Sequence, residues 1–446
     1  MFYLNKETEL TAALLGKMLQ RFQLDVEPRL NKYKNYYDGA QAILQKAYAD
    51  PTKPCNHTVI NYCKNIVDAY AGYMATPGHI SYYSEQDIED IMNILRYNDY
   101  QAEDAEFLTN ALVYGVAAEL MYVDDWGKTR FQLINPAQCF GIYDDSLSAD
   151  LNYFVRFYQV SDWDESDTYY VDVYSSFTMK RYQMTGLNGQ LQLLDEKLHF
   201  FGQCPANIFY MPDEKSIFDC VMGLQDSAND LLSSEIDDFS AFCDAYMVIT
   251  GADMDQETFT ASREGRAFVL PAGATIEWLT KNSSDTQIEN ILKRIHDSIY
   301  RIAQCPDFSS ESFVGGVSSG IAIQYRLTGM ENRAGIIEGA MKKALQRRIE
   351  IICGLASLSL GEEIFRDIQI EFKRNIPADE TATINLINAL KGTVSDATLL
   401  SQLDFITDVN AELEAVQAQK AANMELYGFN APQTQTLTEE DLEDEE

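Results

Sequence analysis

Residues 317–353 read VSSGIAIQYRLTGMENRAGIIEGAMKKALQRRIEIIC. Within them Ile323, Leu327, Met330, Ala334, Ile337, Met341, Leu345 and Ile352 recur mostly three or four residues apart, the spacing of one helical face. The spacing predicts one long helix over 321–353. The twelve residues before it, SSESFVGGVSSG (309–320), carry Ser and Gly with no period and read as an exposed loop.

Working upstream, Ile288, Ile291, Leu292, Ile295, Ile299 and Ile302 predict a second helix over 285–304, ended by Cys305-Pro306. Before it, residues 248–284 hold the turn-rich stretches TGADMD, SREGRA and LPAGAT and read as a small β insert. Before that, Ile217, Val221, Leu224, Ala228, Leu231, Phe239, Phe242 and Tyr246 predict a helix over 216–247. Such a helix extends about 45–50 Å.

The N-terminal half has a different texture. Helical patterns lie over 7–24, 58–75, 86–97 and 101–118, and YKNYYDG (33–39) reads as a tyrosine-rich turn. From 118 to 210 strands dominate. A hairpin turns around Asp125-Trp126-Gly127, and further strands are expected at 152–160, 168–175, 177–184 and 191–200, with Leu187-Asn188-Gly189 as a turn. Downstream of the long helix, Ile368–Arg374 reads as a strand, followed by helices at 379–391, 395–401 and 406–426 and by an acidic tail expected to be disordered. The fold class is α+β, mainly helical.

Composition narrows the function. The 446 residues carry 69 acids against 34 bases, a formal charge of −35. A protein that grips nucleic acid tracks phosphates with Lys and Arg, so this balance argues against a general nucleic-acid binder. It leaves room for one that lets DNA slide past. Eight scattered Cys without a C-x-x-C pair read as free, mostly buried thiols from a reducing compartment. The start MFYLNKETEL lacks a basic region followed by an apolar core, so no secretory signal is expected. The run Ile351–Gly361 is far shorter than the roughly 20 residues that span a bilayer.

Motifs for chemistry fail their context. Gly316-Val317-Ser318-Ser319-Gly320 matches G-x-S-x-G, but no strand precedes it and His57, His79, His199 and His296 all lie upstream. Gly315 and Gly320 have phosphate-loop spacing, yet Ile321-Ala322 stand where Lys and Ser/Thr are needed. The acid pairs Asp124-Asp125, Asp144-Asp145 and Asp237-Asp238 fit turns or solvated helix faces better than a metal site; a metal-dependent nuclease is the enzyme alternative. No H-E-x-x-H or Cys/His cluster points to zinc. No catalytic residue, metal or cofactor is therefore expected. The basic cluster Lys342, Lys343, Arg347 and Arg348 reads either as a contact with DNA or an acidic neighbour, or as an ion-pairing face, and the second reading is preferred.

The order of these elements resembles the portal proteins of tailed double-stranded DNA bacteriophages. The helix opening Ser319-Gly320-Ile321-Ala322, the run IQIEFKRNIPADETATINLINALKGTVSDATLLSQLDFITDVNAELE with Ser395 capping toward Thr398, and the N-terminal YKNYYDG, NYCKNIVDAYAGYMATP and LVYGVAAELMYVDDWGKTRFQLINP carry the resemblance over residues 25–425.

The resemblance implies a portal-like fold. Its parts are an N-terminal α+β wing (1–215), a stem helix (216–247), a small β clip (248–284) and a second stem helix (285–304). A tunnel loop (305–320), a long wing helix with its strand (321–375), C-terminal helices forming a small crown (376–428) and the acidic tail (429–446) follow. It also implies a ring, usually of twelve subunits, at one capsid vertex of the virion, assembled in the host cytoplasm. DNA passes through the channel without sequence specificity. The partners implied are further copies of the chain, the terminase large subunit, capsid and scaffolding proteins and head-tail connectors; no membrane is involved. Another capsid or tail connector is the alternative within this class. The proposed channel loop, Ser309, Ser310, Glu311, Ser312, Phe313 and Val314, has no Lys or Arg. A sliding channel gains from weak contacts, because fixed cations add phosphate attraction at every step. Phe313 and Val314 are expected at the constriction.

Overall fold

The computed structural model describes residues 2–48, 54–159, 167–186, 189–242, 246–251, 273–279, 285–309, 320–355, 364–375 and 387–400, with single positions and short pieces elsewhere between 260 and 420. It divides into two compact units, one of residues 1–317 with 323–376, the other of 318–322 with 377–446.

In the first unit the elements run β1 (Phe2–Leu4), α1 (Ala12–Asp25), α2 (Glu27–Asp38), α3 (Tyr62–Met74), β2 (Ile80–Tyr83), α4 (Glu89–Tyr97), α5 (Tyr100–Tyr114), β3 (Val116–Val123), β4 (Thr129–Ile134) and β5 (Cys139–Asp144). They continue as β6 (Leu151–Gln159), β7 (Thr168–Tyr174), β8 (Thr178–Thr185), β9 (Gln192–Leu198), β10 (Ala206–Tyr210), α6 (Met222–Phe242), β11 (Tyr246–Thr250), β12 (Thr275–Leu279), α7 (Asp285–Ala303), α8 (Gly320–Cys353), α9 (Ile364–Asp367) and β13 (Gln369–Phe372). In the second unit, α10 (Asp396–Leu400) begins where the Ser395 hydroxyl accepts the Thr398 amide at 3.4 Å, the N-cap its sequence anticipates.

One sheet has the order β1-β5-β6-β7-β8-β9, with β1 parallel to β5 and the other neighbours antiparallel. A second has the order β10-β3-β4, and β2 pairs with β13, β11 with β12. The β3–β4 turn falls where expected: Gly127 takes φ +74 and the Asp124 carboxylate accepts the amides of Trp126 and Lys128 at 3.0 and 2.8 Å. Asp124 thus serves the turn, as the ordinary reading of its acid pair had it.

Several elements differ from expectation. The tyrosine-rich segment is no turn: Pro28 near the start of α2 and left-handed Gly39 at its end frame a helix that buries Tyr33 and Tyr36. The helix expected to reach 118 stops at Gly115, where φ is +78 and a Cβ would lie 2.6 Å from the Lys215 backbone, so only glycine fits. The helix expected over 216–247 ends at Phe242. The run Tyr246-Met-Val-Ile-Thr is rich in aromatic and β-branched residues and pairs with β12 instead. Strands β1, β2 and β5 had no sequence signal of their own; each is held by a distant partner.

Helix α8 appears within one residue of its expected start, about 50 Å long. Leu327, Met330, Ala334, Ile337, Met341, Leu345 and Ile352 are buried as their spacing predicted, and Ile323 is half-buried. They join α3, α5 and the sheets in one apolar core that includes Ile66, Tyr70, Phe107 and Phe209. A smaller cluster of Leu120, Ile134, Phe154 and Ala206 lies between the two larger sheets. Among the described cysteines, Cys63, Cys139, Cys204, Cys305 and Cys353 are buried free thiols. Among the described residues no helix is long and apolar enough to cross a membrane.

Candidate functional site

Helices α6 and α7 flank the β11–β12 pair in sequence and pack against each other. What fixes their roots is mostly polar. On α6, Gln225, Asn229, Ser233 and Asp237 stand four residues apart and are all buried. They form one stripe, rising about 6 Å per repeat. The segment 56–62 runs along it in the opposite direction, and every second amide donates to one rung. Asn56 N–H bonds Asp237 Oδ1 at 2.7 Å, Thr58 N–H bonds Ser233 Oγ at 3.0 Å, Ile60 N–H bonds Asn229 Oδ1 at 3.0 Å, and Tyr62 N–H bonds Gln225 Oε1 at 3.0 Å. Two extended residues advance about 6.6 Å. The two periods match closely enough for four consecutive rungs.

A second row reinforces the first. The Tyr33 hydroxyl donates to Asp219 at 2.7 Å, Tyr36 to Asp226 at 2.7 Å, and Lys46 pairs with Asp230 at 3.1 Å. Burial, then the aspartate partners, push both tyrosine hydroxyls well above their ordinary range, so they stay donors. Asn229 reaches Gln41 Oε1 at 2.5 Å, and Gln41 in turn reaches Asn61 at 3.2 Å. Asp237, one of the acid pairs in the sequence, is committed to this anchor through Asn56 and Tyr48.

The far ends meet at Arg333 of α8. Its guanidinium donates to the carbonyls of Ala303, at the end of α7, and Ile217, just before α6, at 3.3 and 3.2 Å. The buried Tyr70 hydroxyl also donates to Ala303 O at 3.0 Å. The Ala303 carbonyl is one of the orphan acceptors of a helix C-terminus, and Gln304, at φ +53, turns the chain away from α7. Sequence reading missed both Arg333 and the polar stripe. The four-residue recurrence of Gln, Asn, Ser and Asp on one face was the available signal.

The basic cluster divides. Arg348 is fully buried, so it is unavailable to DNA or to a neighbouring subunit, a correction to its reading as a contact. It donates through Nε and Nη2 to Glu119 at 2.8 to 3.0 Å and through Nη1 to Asp104, and its guanidinium lies 4.5 Å from the Phe131 ring centre. Tyr82 donates to Asp104 at 2.7 Å and Asn207 to Glu119 at 2.6 Å. Burial raises the Asp104 carboxyl above its usual range, with Arg348 opposing the shift. Lys342 pairs with Glu338 at 2.7 Å and Arg347 with Glu350 at 2.6 Å, the preferred ion-pairing reading. Lys343 is exposed.

Of the expected channel loop, Ser309 is exposed and its amide and hydroxyl bond Asp307 at 3.0 and 2.6 Å. Ser310, Glu311, Ser312, Phe313 and Val314 lie outside the described residues, as do the acidic tail and most of the G-x-S-x-G stretch. Among the described residues no three His, Cys, Asp or Glu side chains cluster to hold a metal ion.

Parts of the apolar surface near the roots are uncovered. Ile291 and Ile302 of α7 are exposed, as are Phe239 of α6 and Tyr325 of α8, the latter two 71% and 77% accessible.

A family model described as phage portal protein, SPP1 Gp6-like, matches residues 23–426. The chain is also similar to the portal protein of Bacillus phage SPP1, with 21% identity over 420 residues, covering 89% of this chain and 82% of that protein.

Proposed function

The chain belongs to the SPP1 Gp6-like family of phage portal proteins, and from that premise we propose that it forms the ring at one capsid vertex through which DNA is packaged and ejected. The observation that carries this reading is the family match across residues 23–426, joined to the order helix, β pair, helix, long helix. In this reading 216–247 and 285–304 are the stem, 248–284 the clip, 305–320 the tunnel loop, and 1–215 with 321–375 the wing. The protein acts as a channel and scaffold without catalysing a reaction. The terminase large subunit and later the head-tail connectors dock on the clip, and capsid and scaffolding proteins surround the wing.

The physical fit is specific. A closed ring needs two unlike surfaces on each copy, and exposed Phe239, Ile291, Ile302 and Tyr325 offer apolar area beside the stem. The polar ladder and Arg333 hold both stem roots to the body, so force on the stem is carried into the wing. In this reading Phe313 and Val314 lie at the constriction with Ser309, Ser310 and Ser312 beside them, and residues 309–314 carry no Lys or Arg to hold phosphates.

Removing residues 309–316 tests the reading. Rings and capsids are expected to form in normal number, while DNA-filled heads fall at least tenfold. Full heads at the normal yield from that deletion would contradict the channel assignment of the loop.

A further inference from the structure

Among the edge strands of the described sheets, two are of opposite character. The first is β10. Bonds from Met211 N–H to Gly115 O and from Met121 N–H to Pro205 O fix the alternation of the β10–β3 ladder. Ala206, Ile208 and Tyr210 therefore turn their backbone N–H and C=O groups away from β3; Ala206 is buried, so the accessible part of the edge is Ile208 and Tyr210. Beside that edge runs a face of α8 formed by Ile336, Ala340, Lys343 and Arg347, and together they enclose a groove of about 590 Å³. Its floor is apolar: Ile336 is 63% exposed, and Gly339 faces open space. Its rim is basic, and Lys343 has no ion-pair partner among the described residues.

The second edge is β9, the last strand of the six-stranded sheet, exposed at every residue. Its pairing with β8 slips by one residue at Leu194, which places Leu193, Glu196 and Leu198 on one face. That face presents two leucines around one carboxylate, the other carries Gln192, Asp195 and Lys197, and an exposed edge strand is a template for pairing with another chain.

We propose that β9 of one copy adds to the β10 edge of the next copy, beneath α8, as a head-to-tail contact of the ring. This rests on the portal reading and names the surfaces that close it. Leu193 covers Ile336, Glu196 meets Lys343, and Leu198, two strand residues further on, lies along the stem of Arg347. From Ile336 to Lys343 the helix rises about 10 Å, similar to the three strand residues from Leu193 to Glu196. Main-chain bonds supply pairing and the side chains supply register. Glu196 is free to exchange partners, because its contact with Lys180 is a half-exposed 3.7 Å pair of little worth. Joining unlike edges gives a heterologous contact, the kind that closes rings.

The experiment places a photo-reactive benzoylphenylalanine at Ile336 in the full chain, irradiates the assembled oligomer, and maps the cross-link by mass spectrometry. Capture of the neighbour's 192–198 is expected. In parallel, Lys343→Glu is expected to raise the concentration needed for assembly at least tenfold, and adding Glu196→Lys to restore it. A ring whose cross-link maps to another segment or another protein, or one indifferent to both charge reversals, overturns this contact and leaves the portal reading standing. A chain that never forms a ring overturns both.

Discussion

Arg348 shows what a single residue hides in a sequence. Lys342, Lys343, Arg347 and Arg348 look equivalent as letters, yet one sits in the core against Asp104 and Glu119. Nothing local distinguishes it, because its two acids lie over 200 residues away. Arg348→Met leaves both carboxylates buried without their cation, a change that costs about 3–5 kcal/mol. Without the guanidinium only the Tyr82 hydroxyl opposes the burial that already raises Asp104. Asp104 then binds its proton more tightly folded than unfolded, so the variant regains stability as pH falls. Thermal unfolding from pH 8 to pH 5 is expected to show the gap to the parent protein narrowing; a gap that widens contradicts the assignment.

Glu331 has the opposite sign. Its hydrogen bonds to Arg374 hold its carboxyl below the usual range. Its contribution is therefore present above the unfolded carboxyl value and lost as pH falls through the lower folded one. Arg374→Met is expected to abolish that acid sensitivity, and an unchanged acid limb of the unfolding curve would count against it.

At the scale of elements, apolar periodicity made the long helices α7 and α8 legible, since each buries one face at its own period, while β9, exposed at every residue, was marked by composition and the turn before it rather than by a buried face. The same rule overran α6, where Phe242 and Tyr246 kept helical spacing although the chain had turned into a strand. The anchor of α6 was invisible because hydrogen bonds between 56–62 and 225–237 leave no apolar pattern. Asn229→Leu removes the acceptor for Ile60 N–H and the donor to Gln41. A buried group left without its partner costs about 1–3 kcal/mol. The Ile60 amide is expected to exchange with solvent at least tenfold faster, while amides in β7 are unchanged. Equal loosening everywhere would mean that the ladder is not a local fastening.

At the scale of the whole molecule, the order of elements carried more information than any motif. Each stretch that resembles the portal family is modest alone, and the family match spans residues 23–426. Composition agrees with the role: a chain of net charge −35 has little reason to hold DNA. The subunit surfaces were not legible, because a ring contact joins edges that are unrelated in one chain. Only the fold shows that Leu193, Leu198 and Ile336 stay uncovered while Leu327 and Ile337 are buried. Ring formation is the claim on which the rest depends, and native mass spectrometry with negative-stain images of the purified chain measures it. The account predicts a closed assembly of about a dozen 50.5 kDa subunits around a central hole. A monomer or a two-fold dimer at every protein and salt concentration would contradict it.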